Sequence, residues 1–363
     1  MRKIMEGKKE DCGILFSGVR AFFTGFFGVG GLVFGLFFSI IIIGIFIGVL
    51  GSGAKPRLEL DDTPQFQVKV LPNPQGERKL LDNKAPIILR LDIEGVIGTE
   101  ALNKDIFRQQ LMESREGVFA GNRVKAIVLQ IDTPGGTVDD SDAIYLALKG
   151  YKERYDVPIY AFIDGLCASG GMYTAAAADK VMASDVSLIG SVGVIMPTFF
   201  NFSKVLDKWE IGSKTIMAGK GKDSMNPVRP WTDSDSKSFE EIIDYYYQQF
   251  LDIVTSNRKT LDRDLLLNEY GAQIFPAEFA LEKGFIDGAG YTFDMLIEEI
   301  AEELKLEEGE YQVVNLEDAN WFKGLFKGKL SMLTGQVTHH VELPNAIPTE
   351  LLNRYLYLYH PNP

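Results

Sequence analysis

An α/β fold with a mainly parallel, helix-covered sheet, preceded by one transmembrane helix, is what this sequence predicts, and three observations predict it. From Ala85 onward, runs of β-branched and apolar residues alternate with helical stretches, which implies successive βαβ units. Glycine-rich turns stand where strands give way to helices. Finally, no charged residue occurs between Arg20 and Lys55, and residues 32–50 read LVFGLFFSIIIIGIFIGVL. Roughly 20 helical residues of that character cross about 30 Å of hydrocarbon once.

Arg2, Lys3, Lys8, Lys9 and Arg20 precede the apolar run, against Lys55 and Arg57 just after it. The positive-inside rule therefore puts the N-terminus in the cytoplasm and everything after Lys55 outside. A cleaved signal peptide is the competing reading, with Gly51, Ser52, Gly53 and Ala54 as a small-residue cut site. The apolar run is longer than the usual signal-peptide core, which favours an anchor. The chain divides accordingly into a cytoplasmic tail (1–20), an anchor (21–54) and a linker (55–85), then a folded domain (86–300) and a C-terminal extension (301–363). The linker carries Pro56, Pro64, Pro72 and Pro74 among polar and charged residues, a composition that resists packing.

Within the domain, IILRLDIEGVI, VKAIVLQID and PIYAFID read as strands. A polar helix starts at Asn103, another spans the region from Asp140 to Tyr151, and a small-residue helix runs from Ser169 to Ala178. Residues 233–259 read as one long helix and residues 276–283 as a shorter one stopped by Gly284 at its C′ position. The domain is expected to close near Gly290. Beyond it come an acidic helix (DMLIEEIAEELKLEEGE) and WFKGLFKGKLSML, whose mixture of Trp, Phe and Leu with lysines suits a membrane surface or the domain's own flank.

The chain has 363 residues and a formal net charge of -13. Phosphate binding needs a clustered positive field, and none is visible, so nucleic acid is excluded as a partner. The two cysteines, Cys12 and Cys167, stand on opposite sides of the apolar run, so they cannot pair across a membrane. There is no HExxH motif, and the three histidines (His339, His340, His360) all lie in the last tenth of the chain. Metal chemistry and a histidine-based site in the domain are therefore not indicated.

Three glycine-rich turns concentrate what chemistry there is. Asp132-Thr133-Pro134-Gly135-Gly136 directly follows a strand, and paired glycines let backbone N–H groups point outward as an oxyanion site requires. By itself such a turn is more often purely structural. Cys167-Ala168-Ser169-Gly170-Gly171 stands at a strand-to-helix junction. A serine there is usually an N-cap, yet an exposed one has adjacent N–H groups and room for a substrate carbonyl. Cys167 is the rival nucleophile, with a strand-end position that points instead to burial. A serine needs a base, and with no histidine nearby a lysine is the remaining type, provided that burial lowers its pKa toward neutrality. The turn Gly219-Lys220-Gly221-Lys222-Asp223 supplies two lysines. It is not a phosphate loop, because Asp223 stands where Ser or Thr is needed.

Taken together, IDTPGG at 131–136, ASGGMYTAAAADK at 168–180, GSVGVIM at 190–196, NFSKVLDKWEIG at 201–212, AGKGKDSMNPVRPWT at 218–232 and ALEKGFID at 280–287 resemble the signal peptide peptidase A family of Ser-Lys peptidases (serine peptidase family S49). The resemblance covers about 200 residues, from Ile87 to Gly290. It implies Ser169 as nucleophile, Lys222 as general base with Lys220 as its competitor, Ser191 orienting the lysine amine, and Gly136 and Gly170 as oxyanion donors. It also implies the fold of the Clp protease and crotonase superfamily, a spiral of repeated ββα units, and a mechanism without metal or cofactor. Rings with neighbouring subunits contributing to each site, here a homo-octamer, are implied too, as are remnant signal peptides as substrates and a single-pass location in the inner (plasma) membrane. Two other readings compete: an acyl-CoA enzyme of the crotonase type, and a non-catalytic membrane-bound scaffold of the same fold.

Overall fold

The computed structural model describes residues 66–318 and 355–358, all within a unit spanning Pro64–Pro363. The charged N-terminal tail, the apolar run at 32–50 and the WFKGLFKGKLSML stretch lie outside the described residues. Among the described residues no helix is long and apolar enough to cross a membrane.

The frame is a mixed sheet whose core strands are β2 (Ile87–Glu94), β3 (Val124–Thr133), β5 (Ile159–Ala168) and β6 (Lys180–Ala183), paired in parallel in that order. Alternation along these strands sends side chains to both faces, as a parallel sheet covered on both sides requires. Leu89, Leu91, Ile93, Ile127, Leu129, Ile131, Ala161 and Ile163 enter the larger core cluster. Ile88, Ala126, Val128, Tyr160 and Phe162 enter a second cluster on the opposite face.

The larger core is covered mainly by α1 (Lys104–Glu113), α2 (Val138–Tyr155), α3 (Gly170–Ala175) and, separated from them by the small helix α4 (Ser203–Lys208), α5 (Asp233–Asn257). Their starts are set locally. The Asn103 side chain accepts the N–H groups of Asp105 and Ile106, each at 3.1 Å, to open α1. Asp235 accepts the Thr232 N–H at 2.7 Å at the head of α5. The smaller cluster is closed by one amphipathic helix, whose Leu296, Ile297 and Ile300 are fully or almost fully buried. It follows α6 (Ala277–Glu282) in the chain and is α7 (Phe293–Glu303).

Short strands finish the sheet and position the site. β4 (Gly135–Thr137) leaves the end of β3, and β7 (Leu188–Gly190) pairs in parallel with the last residues of β5 and antiparallel with β8 (Ile274–Pro276). β9 (Gly288–Ala289) pairs with β6.

Three expectations change here. The sheet does not stop at residue 300, because Gln312–Asp318 forms β10 alongside β2. Nor does it start after the proline-rich linker, because Phe66–Val70 forms β1, antiparallel to β10, with Phe66 almost fully buried. Prolines flank β1 without interrupting it, and five residues are too few for their alternation to outweigh that composition. The small-residue helix ends at Ala175 instead of Ala178.

Candidate active site

The site is built where β3, β5 and β7 end. Thr133 closes β3, and its hydroxyl donates to the Gly95 carbonyl at 2.5 Å and accepts the Gly135 N–H at 3.0 Å, which sets the turn into β4. Gly136 then lies hard against Ile97, where any Cβ would fall 1.8 Å from the Ile97 carbonyl oxygen. The backbone approaches this closely because β4 bonds to the 95–98 loop on both sides of Gly136: Ile97 N–H to Gly135 O at 2.8 Å, and Thr137 N–H to Ile97 O at 3.0 Å.

Ser169 is the one residue between β5 and α3. Its backbone lies at φ 54° and ψ -112°, a conformation L-residues with side chains rarely adopt, and such positions cost on the order of 1–3 kcal/mol where surrounding structure enforces them. Enforcement comes from its N–H, which donates to Gly190 O at 2.9 Å, and from its carbonyl, which accepts the Tyr173 N–H at 3.1 Å. Its side chain does not cap α3. The hydroxyl instead points toward the Gly193 carbonyl at a long 3.4 Å, so the ordinary use of a serine at a helix start is not made here. Gly170, the first residue of α3, has an amide with no acceptor inside the helix. Gly171 lets α3 close on β3, since a Cβ there would meet the Thr133 methyl at 2.7 Å.

Ser191 follows β7 and repeats the strained backbone at φ 55°. Ala168 is in register with Gly190, so the two serines leave adjacent strand ends side by side. The Ser191 N–H is tied to Gln273 O at 2.7 Å, and its residue is buried.

Lys222 is different. It sits in an exposed turn, as does Lys220, and its ammonium has no hydrogen-bond or ion-pair partner among the described residues. Ser169, Ser191, Gly136 and Gly170 are thus gathered at one end of the sheet, and no hydrogen bond joins Lys222 to either serine. What holds its turn is Arg229, which sequence reasoning passed over although it stands in the quoted VRPWT. The guanidinium pairs with Asp223 through Nε to Oδ2 at 2.7 Å and with Asp235 through Nη1 to Oδ2 at 2.9 Å. It holds both carboxyls below the usual range, and the Thr232 N–H contributes at Asp235. A lowered carboxyl contributes stability that is present above its unfolded value, near about 4, and is lost as pH falls toward the lowered value. Arg229→Met is therefore expected to lower Tm at neutral pH. A series of melts should show the gap to wild type widest above about pH 5 and narrowing below about pH 4; a gap independent of pH would mean that the clamp acts through packing alone.

Cys167 is fully buried, its Sγ 3.6 Å from Met172 Sδ, and burial pushes its thiol well up from the ordinary value. A neutral buried thiol is inert. In the folded chain it is expected to resist a maleimide over hours, and Cys167→Ala to keep wild-type turnover. Rapid labelling, or loss of activity on that substitution with the fold intact, would restore it as a rival to Ser169. Among the described residues no group of three or more His, Cys, Asp or Glu side chains could hold a metal ion.

The sequence profile described as peptidase family S49 matches residues 152–307, a span that contains Ser169, Gly170, Ser191 and Lys222 but not Gly136. A candidate signal peptide peptidase SppA of Enterococcus faecium is 29% identical over 218 residues, covering 58% of this chain and 61% of its own length. A candidate protease of Methanocaldococcus jannaschii is 31% identical over 197 residues, covering 53% of this chain and 62% of its own length. The chain thus spans about six tenths of these two relatives. Among solved structures, a lysine-to-alanine mutant of the 1510-N membrane-bound stomatin-specific protease in complex with a substrate peptide aligns over 69% of this chain and 99% of that one, at 16% identity and a TM-score of 0.39.

Proposed function

We propose that this chain, whose residues 152–307 match the peptidase family S49 profile, is a membrane-anchored serine endopeptidase with a Ser-Lys dyad, acting on remnant signal peptides and similar apolar peptides. The observation that carries this is Ser169, which is buried at a strand-to-helix junction with a strained backbone and a hydroxyl that caps no helix and makes only a long bond to the Gly193 carbonyl. In the proposed reaction Ser169 Oγ attacks the scissile carbonyl carbon while the neutral Lys222 amine takes its proton. The N–H groups of Gly136 and Gly170 receive the oxyanion. Lys222 returns the proton to the leaving amine, and the resulting ester on Ser169 is then hydrolysed by a water that the same amine deprotonates. Ser191 orients the amine.

A lysine acts as a base only when uncharged, which requires cover from water. In the single chain Lys222 is exposed, and so is an apolar stretch close to it in sequence: Phe200, Trp209 and Ile216 are 67%, 70% and 88% exposed. Apolar exposure on that scale supports association between copies, and a ring, here an octamer, brings the exposed turn of one subunit to the serines of the next. The uncharged run at 32–50 supports a single-pass anchor in the inner membrane with the domain outside. The succession of a core strand, a short turned-out strand and a helix in β3–β4–α2 supports the Clp protease and crotonase-like spiral.

A non-catalytic scaffold draws on the same exposure of Lys222, so the decisive test is chemical. The detergent-solubilised full chain is expected to hydrolyse a fluorogenic apolar peptide, and Ser169→Ala and Lys222→Ala each to lower kcat by at least about 10³-fold. Turnover at wild-type level in either variant would remove that residue from the mechanism; a silent wild-type chain would favour the scaffold.

A further inference from the structure

The Gly136 amide is aimed by bonds made around it. Its N–H shares one planar trans peptide with the Gly135 carbonyl, and that carbonyl accepts the Ile97 N–H at 2.8 Å. The Gly136 N–H therefore points away from Ile97, toward the edge where β4 runs antiparallel to β11 (Leu356–Leu358), with Thr137 opposite Leu356. Any shift of Ile97 against β4 turns the amide with it. The two are fixed against each other one residue on, at Thr137. Its N–H donates to Ile97 O at 3.0 Å, its carbonyl accepts the Ser141 hydroxyl at 2.8 Å, and its own hydroxyl donates to Asp140 Oδ2 at 2.5 Å.

Asp140, the third residue of α2, is only 3% exposed. Its Oδ1 accepts the N–H of Lys104 at 3.0 Å. Lys104 opens α1, so its amide has no acceptor within that helix. The 97–104 loop is closed on itself by the Gly98 N–H, which donates to Leu102 O at 2.7 Å. Gly98 has room for no side chain, since a Cβ there would fall 2.6 Å from the Thr137 methyl and 3.0 Å from Asp140 Oδ2. One buried carboxylate thus joins the end of β4, the start of α1 and the loop that carries Ile97. The neighbouring Asp139 meets the Lys104 ammonium at 3.0 Å in a pair open to solvent, and such pairs hold little.

We infer that Asp140 is a positioning residue: through the Thr137 hydroxyl and the Lys104 amide it clamps the 97–104 loop to β4 and so sets the direction of the Gly136 N–H. The inference rests on the peptidase reading, in which that N–H receives the oxyanion. Hydrogen bonds to an ionised carboxylate suit the task, being shorter and stronger than neutral ones.

Full-length chains carrying Asp140→Ala, Asp140→Asn and Asp139→Ala separate aim from stability. The asparagine keeps one carbonyl oxygen for the Lys104 N–H and turns its amide N–H to the Thr137 hydroxyl oxygen, so it is expected to rescue what alanine loses. Amide exchange is read by mass spectrometry over residues 96–104 and 134–138, and turnover on the folded chains. Asp140→Ala is expected to exchange at least roughly tenfold faster in both segments, because local opening no longer breaks the two bonds to the carboxylate. Its kcat is expected to fall about 10²-fold, as for a catalytic group displaced by about 1 Å, with KM changed by less than about threefold. Asp140→Asn is expected within about fivefold of wild type in both readings, and Asp139→Ala at wild type. Thr137→Val, of equal size, cuts the clamp at β4 and shows the same kcat loss should Asp140→Ala not fold. Wild-type kcat in a folded Asp140→Ala or Thr137→Val chain, whatever its exchange, overturns the inference, as does an equal loss in the alanine and asparagine chains. Faster exchange in Asp140→Ala, restored by asparagine, in a protein that hydrolyses nothing even as wild type upholds the clamp and overturns the peptidase reading instead.

Discussion

Equal mixing of Ser169→Ala and Lys222→Ala chains, each inactive alone, is expected to recover about a quarter of wild-type turnover once the two have been dissociated and reassembled together. The expectation follows from the exposed position of Lys222, which has no partner among the described residues, and from the gathering of Ser169, Ser191 and Gly136 without it. If each site takes its serine from one subunit and its lysine from the next, the contact is heterologous and closes as a ring. In a random mixture half of the sites hold an intact serine, and half of those face an intact lysine, hence roughly one site in four. Against variants lowered by at least about 10³-fold, that recovery is large and easily measured. Recovery should also vanish when reassembly is blocked, for instance by Trp209→Glu in both chains, which puts a charge on the exposed apolar stretch. If mixed assemblies form and turnover stays at the level of the separate variants, the lysine acts within its own subunit, by folding over of the 219–226 turn.

Gly136→Ala should be the most damaging single-atom change away from the proposed pair Ser169 and Lys222. A Cβ 1.8 Å from the Ile97 carbonyl oxygen cannot be accommodated by a side-chain rotation, since the clashing atom is backbone. Either β4 moves or the 95–98 loop does, and the two are joined by the bonds of Ile97 N–H to Gly135 O and Thr137 N–H to Ile97 O. Loss of that pairing is expected to cost on the order of 1–3 kcal/mol of stability, in the range of buried overpacking. On the proposed role of the Gly136 amide as an oxyanion donor, displacing it is expected to cost a further 10²- to 10³-fold in kcat, roughly 3–4 kcal/mol. Denaturant melts and kcat of the remaining folded fraction separate the two effects. Wild-type kcat in a folded Gly136→Ala chain would remove the Gly136 amide from the mechanism.

Much of this was legible in the residues themselves. The apolar runs IILRLDIE and VKAIVLQIDT, alternating with helical stretches, foretold parallel strands covered by helices, and the small residues from Ser169 onward foretold a helix. The strand-to-helix position of Ser169 and the lysines at 220 and 222 could be read from order and spacing. Local preferences carry such information because they depend on residues a few positions apart. The strand β1 inside a proline-rich stretch, the strand β10 beyond the expected boundary, and the positive φ of Ser169 and Ser191 were not legible. Each is imposed by partners distant in the chain, as with Ser191 held by Gln273 and Phe66 opposite Asp318. The sequence by itself determined which residues are the candidates for chemistry and on which kind of element they sit. Only the tertiary structure decided which of them meet: it gathers Ser169, Ser191 and Gly136, leaves Lys222 facing water, and seats Leu356 beside Thr137. Those contacts join segments far apart in sequence, and their free energy comes from packing and backbone pairing that no local pattern encodes.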